Sequence, residues 1–375
     1  VQAHRPAAGT TPRHILMTAD AVGGVWQYAT DLAAALGAHG HTVTLAVLGP
    51  APTSDQRLAA QRMAGLRLVE TGLPLDWLSA GAGPVARAAE AIAELARREG
   101  ADLIHCNMPT LAGAAAFPVP VVAVTHGCIA TWWQAARMEP LLASYRWHKR
   151  MMARGLAAAD VVVAPSASYA AIVRRTYRLP TAPLVVHNGR APLPPSLTAE
   201  PPLDAALTIG RLWDPVKNAA MLDRIAARLP LPFLAAGAVL GPHGELIRLK
   251  HLKALGQLDA APLGAMLARR PIFVSAASFE PFGLAVLEAA QAGCPLVLSD
   301  IPTFRELWDG AALFVPPGDE EGLAAAIGHL AVDEAERAQL GTRAAQRAAR
   351  YTPAAKAAAM ARIYQGLLAR QEEAA

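Results

Sequence analysis

The chain has 375 residues, of which 53% are hydrophobic and 17% charged. That is too long for one ordinary α/β domain, suits two, and excludes a disordered tether. The formal charge of +4 favours anionic ligands or an anionic membrane face, but the basic residues are scattered and only 5% are aromatic, which argues against nucleic acid as the main partner.

In chain order, His14 to Thr18 reads as a buried strand, followed by a turn bearing Gly23 and Gly24. A helix follows through Val25, Tyr28, Leu32 and Leu36, and Gly40 stops it. Thr42 to Leu48 closes a βαβ unit. Further strands are expected at Leu66 to Thr71, Leu103 to His105, Val119 to Thr125 and Val161 to Pro165. After Val185-Val186-His187-Asn188-Gly189, the proline-bearing stretch 191–204 reads as a linker. A second set begins at Ala206 to Ile209 and continues through Phe233 to Ala236, Pro271 to Val274 and Leu296 to Ser299. The expected organisation is a first α/β domain over 1–190, the linker, a second over 205–352, and a last segment over 353–375 that is helical from about Pro353 to Arg370. The alternation implies parallel sheets covered on both faces, with ligands outside the carboxyl ends of their strands.

Cys106, Cys128 and Cys294 form no metal-spaced pair, and their odd number argues against a disulfide framework. A reducing cytoplasm is the expected setting. The opening segment lacks the apolar core of a secretion signal, and no run is long enough to span a bilayer. Peripheral membrane contact stays compatible with the charge.

Residues 278–318, SFEPFGLAVLEAAQAGCPLVLSDIPTFRELWDGAALFVPPG, carry the most information. Glu280 stands eight residues before Glu288, across a Pro-Phe-Gly turn and the start of a helix whose first turn would hold Phe282, Gly283 and Leu284. A helix N-terminus suits a phosphate, because unpaired N–H groups and the positive dipole end face outward. Upstream, Gly210-Arg211-Leu212 and Lys217-Asn218 follow a strand. Arg211 offers a planar fork and Lys217 a compact charge, a pair suited to a diphosphate. Taken alone, each of these features has a plain alternative: a solvated helix face for Glu288, a capping acid for Glu280, two surface cations for Arg211 and Lys217.

Together they resemble the E-x7-E region and the G-R-L-x-x-x-K-N element of retaining glycosyltransferases of family 4. Ser299-Asp300-Ile301-Pro302, Arg305-Glu306-Leu307 and Phe314-Val315-Pro316-Pro317-Gly318 extend the resemblance. It implies the GT-B architecture, two Rossmann-like domains facing across a cleft, with the last helix crossing back onto the first domain. It also implies hexose transfer from a nucleotide diphosphate sugar to an acceptor hydroxyl with retention of configuration; the sugar and base are not fixed by the sequence, and UDP-glucose or a related hexose is the default expectation, with GDP-mannose next. Arg211 and Lys217 would hold the diphosphate, Glu280 the sugar hydroxyls and Glu288 the ribose diol. His126, in Thr125-His126-Gly127 after a strand of the first domain, matches the histidine that contacts the donor sugar. Gly23, Gly24, Gly210, Leu258, Phe282, Gly283 and Leu284 complete the donor-binding set. The base would be gripped largely through backbone groups near Leu255 to Leu258.

Acceptor contacts are expected from Trp132 and Trp133, in a segment whose basic and aromatic residues run on to Met152. The acceptor itself, whether sugar, lipid-linked sugar or small molecule, is not legible. No D-x-D triplet occurs, so neither a metal nor another cofactor is expected. Two rivals remain: a sugar-nucleotide epimerase of the same architecture and a non-catalytic sugar-nucleotide-binding protein. A nicotinamide oxidoreductase lacks its G-x-G-x-x-G fingerprint.

Overall fold

The computed structural model of the protein describes residues 12–194 and 201–374. The linker expected at 191–204 therefore lies in part, at 195–200, outside the described residues. The chain divides into two compact units. The first holds residues 12–134, 139–189 and 353–374, and the second holds 135–138, 190–194 and 201–352.

Unit 1 is built on seven parallel strands: β1 His14–Asp20, β2 Thr42–Leu48, β3 Leu66–Glu70, β4 Leu103–Cys106, β5 Val121–Val124, β6 Val161–Ala164 and β7 Leu184–Val185. Their order across the sheet is β3-β2-β1-β4-β5-β6-β7. The strand order reverses direction between β1 and β4, which pair in register from Ile15↔Leu103 to Met17↔His105. Such a reversal leaves a crevice at the carboxyl ends of the two strands.

The sheet is buried on both faces, as apolar runs without polar alternation require. Along β1, Ile15, Met17 and Ala19 enter one core cluster while Leu16 enters the other. The helix Gly24–Gly37 covers the first face with Tyr28, Leu32, Ala33 and Leu36. Burying each such leucine contributes about 2 kcal/mol.

The C-terminal helix Pro353–Ala374 belongs to this same cluster through Ala357, Met360, Tyr364 and Leu367. Its Lys356 is only 2% exposed, a placement that costs free energy unless the ammonium is partnered. The Nζ donates to the Tyr28 backbone oxygen at 2.9 Å and lies 4.4 Å from the centroid of the Tyr28 ring. That contact ties the end of the chain to the first helix.

Unit 2 repeats the plan with β8 Ala206–Ile209, β9 Phe233–Ala236, β10 Lys253–Gly256, β11 Ile272–Ser275, β12 Leu296–Ser299 and β13 Leu313–Val315, all parallel. The order is β10-β9-β8-β11-β12-β13, so the reversal falls between β8 and β11. In β11, Phe273 faces one core and Ile272 and Val274 the other. Among the described residues no helix is long and apolar enough to cross a membrane.

Candidate functional site

In unit 2 the two strands that flank the reversal each release a loop. The loop after β8 runs through Gly210 and Arg211 to a short 3-10 turn, Pro215–Lys217, whose entry is capped by Asp214. The loop after β11 leads through Glu280 to the helix Leu284–Gln291. One backbone bond and one side-chain bond lock the loops together. Ser278 N donates to Val216 O at 2.9 Å, and Asn218 Nδ2 donates to Ala276 O at 2.7 Å.

This locking brings Lys217 and Glu280, 63 residues apart, into a direct ion pair. Their side chains are 21% and 17% exposed, so the pair is neither sealed nor freely solvated. A Cβ built on Gly210 would stand 3.7 Å from Lys217 Cε, and one on Gly283 would stand 3.3 Å from Glu280 Cγ. Gly210, Lys217, Glu280 and Gly283 thus form one cluster. Arg211 joins through Asp214, donating from Nη2 to Oδ2 at 2.9 Å, and its side chain is 58% exposed.

The helix start differs from the sequence expectation. Phe282 and Gly283 precede the helix, and of the three residues only Leu284 stands in its first turn. Gly283 has φ +92°, a conformation that suits a residue without Cβ and breaks the helical path before Leu284. Phe282 is 2% exposed and meets Tyr351 edge-on at 5.7 Å. Its side chain belongs to the core, so a ligand there would meet backbone. Leu258 is half-buried and packs with Leu255 against that core.

Glu288, one turn into the helix, is gripped by a residue the sequence did not single out. Arg190 Nε donates to Glu288 Oε1 at 2.6 Å, with both side chains largely buried. Gln291 Nε2 donates to Arg190 O at 2.7 Å, and Arg190 N donates to Tyr351 O at 3.2 Å. The arginine is therefore positioned by backbone at both its N–H and its carbonyl. A charge-assisted bond of this kind fixes the carboxylate in one orientation.

In unit 1, His126 follows β5, and Asn107 follows β4, at the reversal of that sheet. His126 Nε2 lies 2.7 Å from Asn107 Oδ1, and its ring stands edge-on to Tyr28 at 4.4 Å. Tyr28 sits one turn into the helix that Gly23 opens. Gly23 caps that helix in extended backbone, no side chain closes the terminus, and a Cβ there would meet nothing within 4 Å. Trp132 and Trp133 lie on the helix Ile129–Ala136, edge-on to each other at 6.3 Å, and the Tyr145 ring lies 5.9 Å from that of Trp133 at a tilt of 52°.

Burial, and after it the neighbouring His105 and Lys356, hold the His126 ring down to about 3. His105 is likewise lowered to about 3, by burial first and Lys356 after it, against the raising effect of its bond to Asn107. Both rings stay neutral through the physiological range. The unfolded chain, with histidines near 6.5, takes up these protons first as pH falls, so the stabilisation is complete above 6.5 and is lost toward 3. Urea unfolding of unit 1 is expected to weaken between pH 7 and pH 5 by up to about 2 kcal/mol per ring. The double variant His105→Gln, His126→Gln should lose most of that pH dependence; an unchanged dependence would show that these rings do not carry it.

The three cysteines are all free thiols. Cys106 and Cys294 are buried, and burial pushes both thiols up, Cys106 to about 12. Cys128 is half-buried between Thr131 and the Tyr177 hydroxyl. His329, Asp333 and Glu336 bring three ligand-type side chains together at a helix junction, but His329 already pairs with Glu336, and Asp333 accepts from the Glu336 N–H as a helix cap.

Two Rossmann-like units, each with its strand reversal flanked by polar loops, define the GT-B class of glycosyltransferase fold. Residues 22–191 match Glycosyltransferase Family 4, and residues 204–333 match Glycosyl transferases group 1. The chain belongs to the family-4 type of glycosyltransferases.

It is 33% identical over 172 residues to a phosphatidyl-myo-inositol mannosyltransferase of Mycolicibacterium smegmatis, a match covering 42% of this chain and 44% of that protein. It is 27% identical over 368 residues to a glycogen synthase of Mycobacterium tuberculosis, covering 87% and 86%. Among solved structures it resembles a sucrose-phosphate synthase from Thermosynechococcus elongatus, with a TM-score of 0.76, 21% identity, and coverage of 96% of this chain and 100% of that one. Anabaena Alr3699/HepE, solved in complex with UDP and glucose, gives a TM-score of 0.70 at 19% identity, covering 95% and 100%.

Proposed function

We propose that the protein transfers a hexose from a nucleoside diphosphate donor to an acceptor hydroxyl, with retention at the anomeric carbon. The observation that carries this reading is the Lys217–Glu280 pair at the strand reversal of unit 2, with Glu288 oriented on the following helix. In this reading Lys217 and Arg211 take the diphosphate and oppose the charge that grows on it as the glycosidic bond breaks. Glu280 accepts hydrogen bonds from the sugar, and Glu288, steadied by Arg190, takes the ribose diol. Gly210, Gly283 and Leu284 offer backbone to the phosphates, and Leu258 lies beside the base.

The leaving phosphate oxygen receives the acceptor's proton on the same face on which the new bond forms, so no protein base is assigned. The cations and the helix N-terminus supply the positive field, and the reading includes neither a metal nor another cofactor. UDP-glucose is the first donor to test and GDP-mannose the second. Anabaena HepE, a fold relative solved in complex with UDP and glucose, supports the first choice. The mannosyltransferase relative supports the second.

Unit 1 takes the acceptor at Trp132 and Trp133, while Gly23 and Gly24, at the start of its first helix, serve the donor. Exposed Arg146, Arg150 and Arg154 lie along the helix Arg146–Ala158, a basic edge that suits a phosphate-bearing acceptor or an anionic membrane face of the cytoplasmic compartment.

Incubation with each donor in the presence of a metal chelator tests the reading. Nucleoside diphosphate release, slow with water and faster with an acceptor, is the expected result. An isomerised sugar still attached to its nucleotide would favour the epimerase instead. Donor binding with no release would favour the non-catalytic binding protein.

A further inference from the structure

We propose that Asn107 fixes the tautomer of His126, leaving Nδ1 as a bare acceptor for a hydroxyl of the bound substrate. The hydroxyl contact rests on the transferase reading; the tautomer does not. One backbone carbonyl orients the Asn107 amide. Asn107 Nδ2 lies 2.7 Å from Thr18 O, and Asn107 N donates to Thr18 Oγ1 at 2.9 Å. A carbonyl oxygen only accepts, so the amide nitrogen of the carboxamide faces it and Oδ1 faces the other way. Rotating the carboxamide would set oxygen against oxygen.

Oδ1 meets two histidine nitrogens, His126 Nε2 at 2.7 Å and His105 Nε2 at 3.1 Å. It has two lone pairs and no proton, so each nitrogen must bring the hydrogen. Both rings are thereby set as Nε2–H. The assignment is consistent at the far end of the chain of bonds. A bare Nδ1 on His105 accepts from the Tyr364 hydroxyl at 2.6 Å, a phenol that burial holds well above its usual range and so keeps protonated.

The same logic leaves His126 Nδ1 without a proton. That atom makes no hydrogen bond among the described residues, and His126 is half-buried rather than fully enclosed. The groups facing the two rings are Tyr28 from the first helix and Lys356 and Tyr364 from the C-terminal helix. No carboxylate among the described residues hydrogen-bonds either ring, and on His105 burial outweighs the raising effect of the bond to Asn107. Asn107 is thus a positioning residue. It acts on substrate only through the lone pair it leaves on His126.

Nitrogen NMR of the protein labelled at histidine reads the tautomer directly. The wild type should show His126 protonated at Nε2 and bare at Nδ1. Asn107→Leu should show a mixture of tautomers, while Tyr364→Phe, which leaves the Asn107 carbonyl in place, should keep the wild-type pattern at His126. Protonation at Nδ1 in the wild type, or an unchanged single tautomer in Asn107→Leu, would overturn the proposal. The wild-type spectrum decides even if that variant does not fold.

The hydroxyl contact has its own readout, turnover of UDP-glucose and its monodeoxy analogues. One missing hydroxyl should cost the wild type about tenfold, and that cost should vanish in His126→Ala. If every analogue loses the same factor in both proteins, the contact is wrong. If no nucleotide sugar is turned over but the tautomer is as assigned, the transferase reading fails with the hydroxyl contact, and the Asn107 assignment stands.

Discussion

Replacing Lys217 by alanine is expected to lower turnover of a nucleotide sugar by about 10²–10³-fold while unit 2 stays folded, the range found when one fixed charge or donor is removed from a developing anion. The residue is held by its surroundings rather than holding them. Asp214 caps its short turn, accepting from Val216 N at 3.2 Å, and Ser278 N is bonded to Val216 O. Those bonds survive the substitution. The side chain is partly exposed, so its removal leaves Glu280 room to find water, and the stability cost should stay near 1 kcal/mol.

A purely structural pair makes a different prediction. If Lys217 and Glu280 served only to tie two loops, the neutral combination Lys217→Met, Glu280→Gln would restore activity. The account predicts that this combination stays inactive, with the loss in kcat. Near-normal turnover in Lys217→Ala would remove the residue from the donor site.

The second large effect concerns stability, at a glycine with no polar role. Gly237 follows β9 at φ +141°, and a Cβ there would lie 1.7 Å from the carbonyl oxygen of Gly210. Nothing at that distance can be accommodated by a rotamer change, because the obstacle is backbone. Gly210 N is bonded to Ala236 O at 3.0 Å and Gly237 N to Gly256 O at 2.7 Å, so the clash strains the start of the loop that carries Arg211 and Lys217.

Gly237→Ala should destabilise unit 2 by about 4 kcal/mol or more. In a thermal melt that is a fall of about 10 °C. Gly328→Ala is the control: it lies inside the helix Glu320–Val332 with nothing within 4 Å of a new Cβ, and should be neutral or slightly stabilising. Equal melting temperatures for the two variants would contradict the packing described.

Much of this framework was legible because buried parallel strands advertise themselves. Runs such as Thr42–Leu48 and Leu296–Ser299 are continuous and apolar, and the structure gives them the expected bounds. The helix Ser54–Gln61 was not read. Most of its residues are polar and only Ala60 is buried, so no apolar period announces it, although its capping box of Thr53 and Gln56 was a usable signal. The short edge strand Leu313–Val315 overlaps the Phe314-Val315-Pro316-Pro317-Gly318 motif, and three residues carry no periodicity that marks them as a strand.

At the candidate site, residue types were legible and pairings were not. Lys217 and Glu280 were each noted, but their contact depends on the two loops being bonded across the strand reversal. Arg190 is separated from Glu288 by 98 residues and sits in no patterned segment. Asn107 could have been found from its place directly after a strand, at the carboxyl end where open α/β sheets gather ligands. Its amide orientation could not, because that is set by a carbonyl 89 residues away.

The central claim is transfer of a sugar from a nucleoside diphosphate donor with retention. Proton NMR of the anomeric region, recorded from the first turnovers with UDP-glucose and GDP-mannose side by side and a metal chelator present, tests it most directly. One donor should be consumed, free nucleoside diphosphate should appear, and the first product should carry the sugar in the donor's own α configuration. A first product in the β configuration would contradict retention, and both donors remaining intact with every acceptor class offered would contradict the transfer itself.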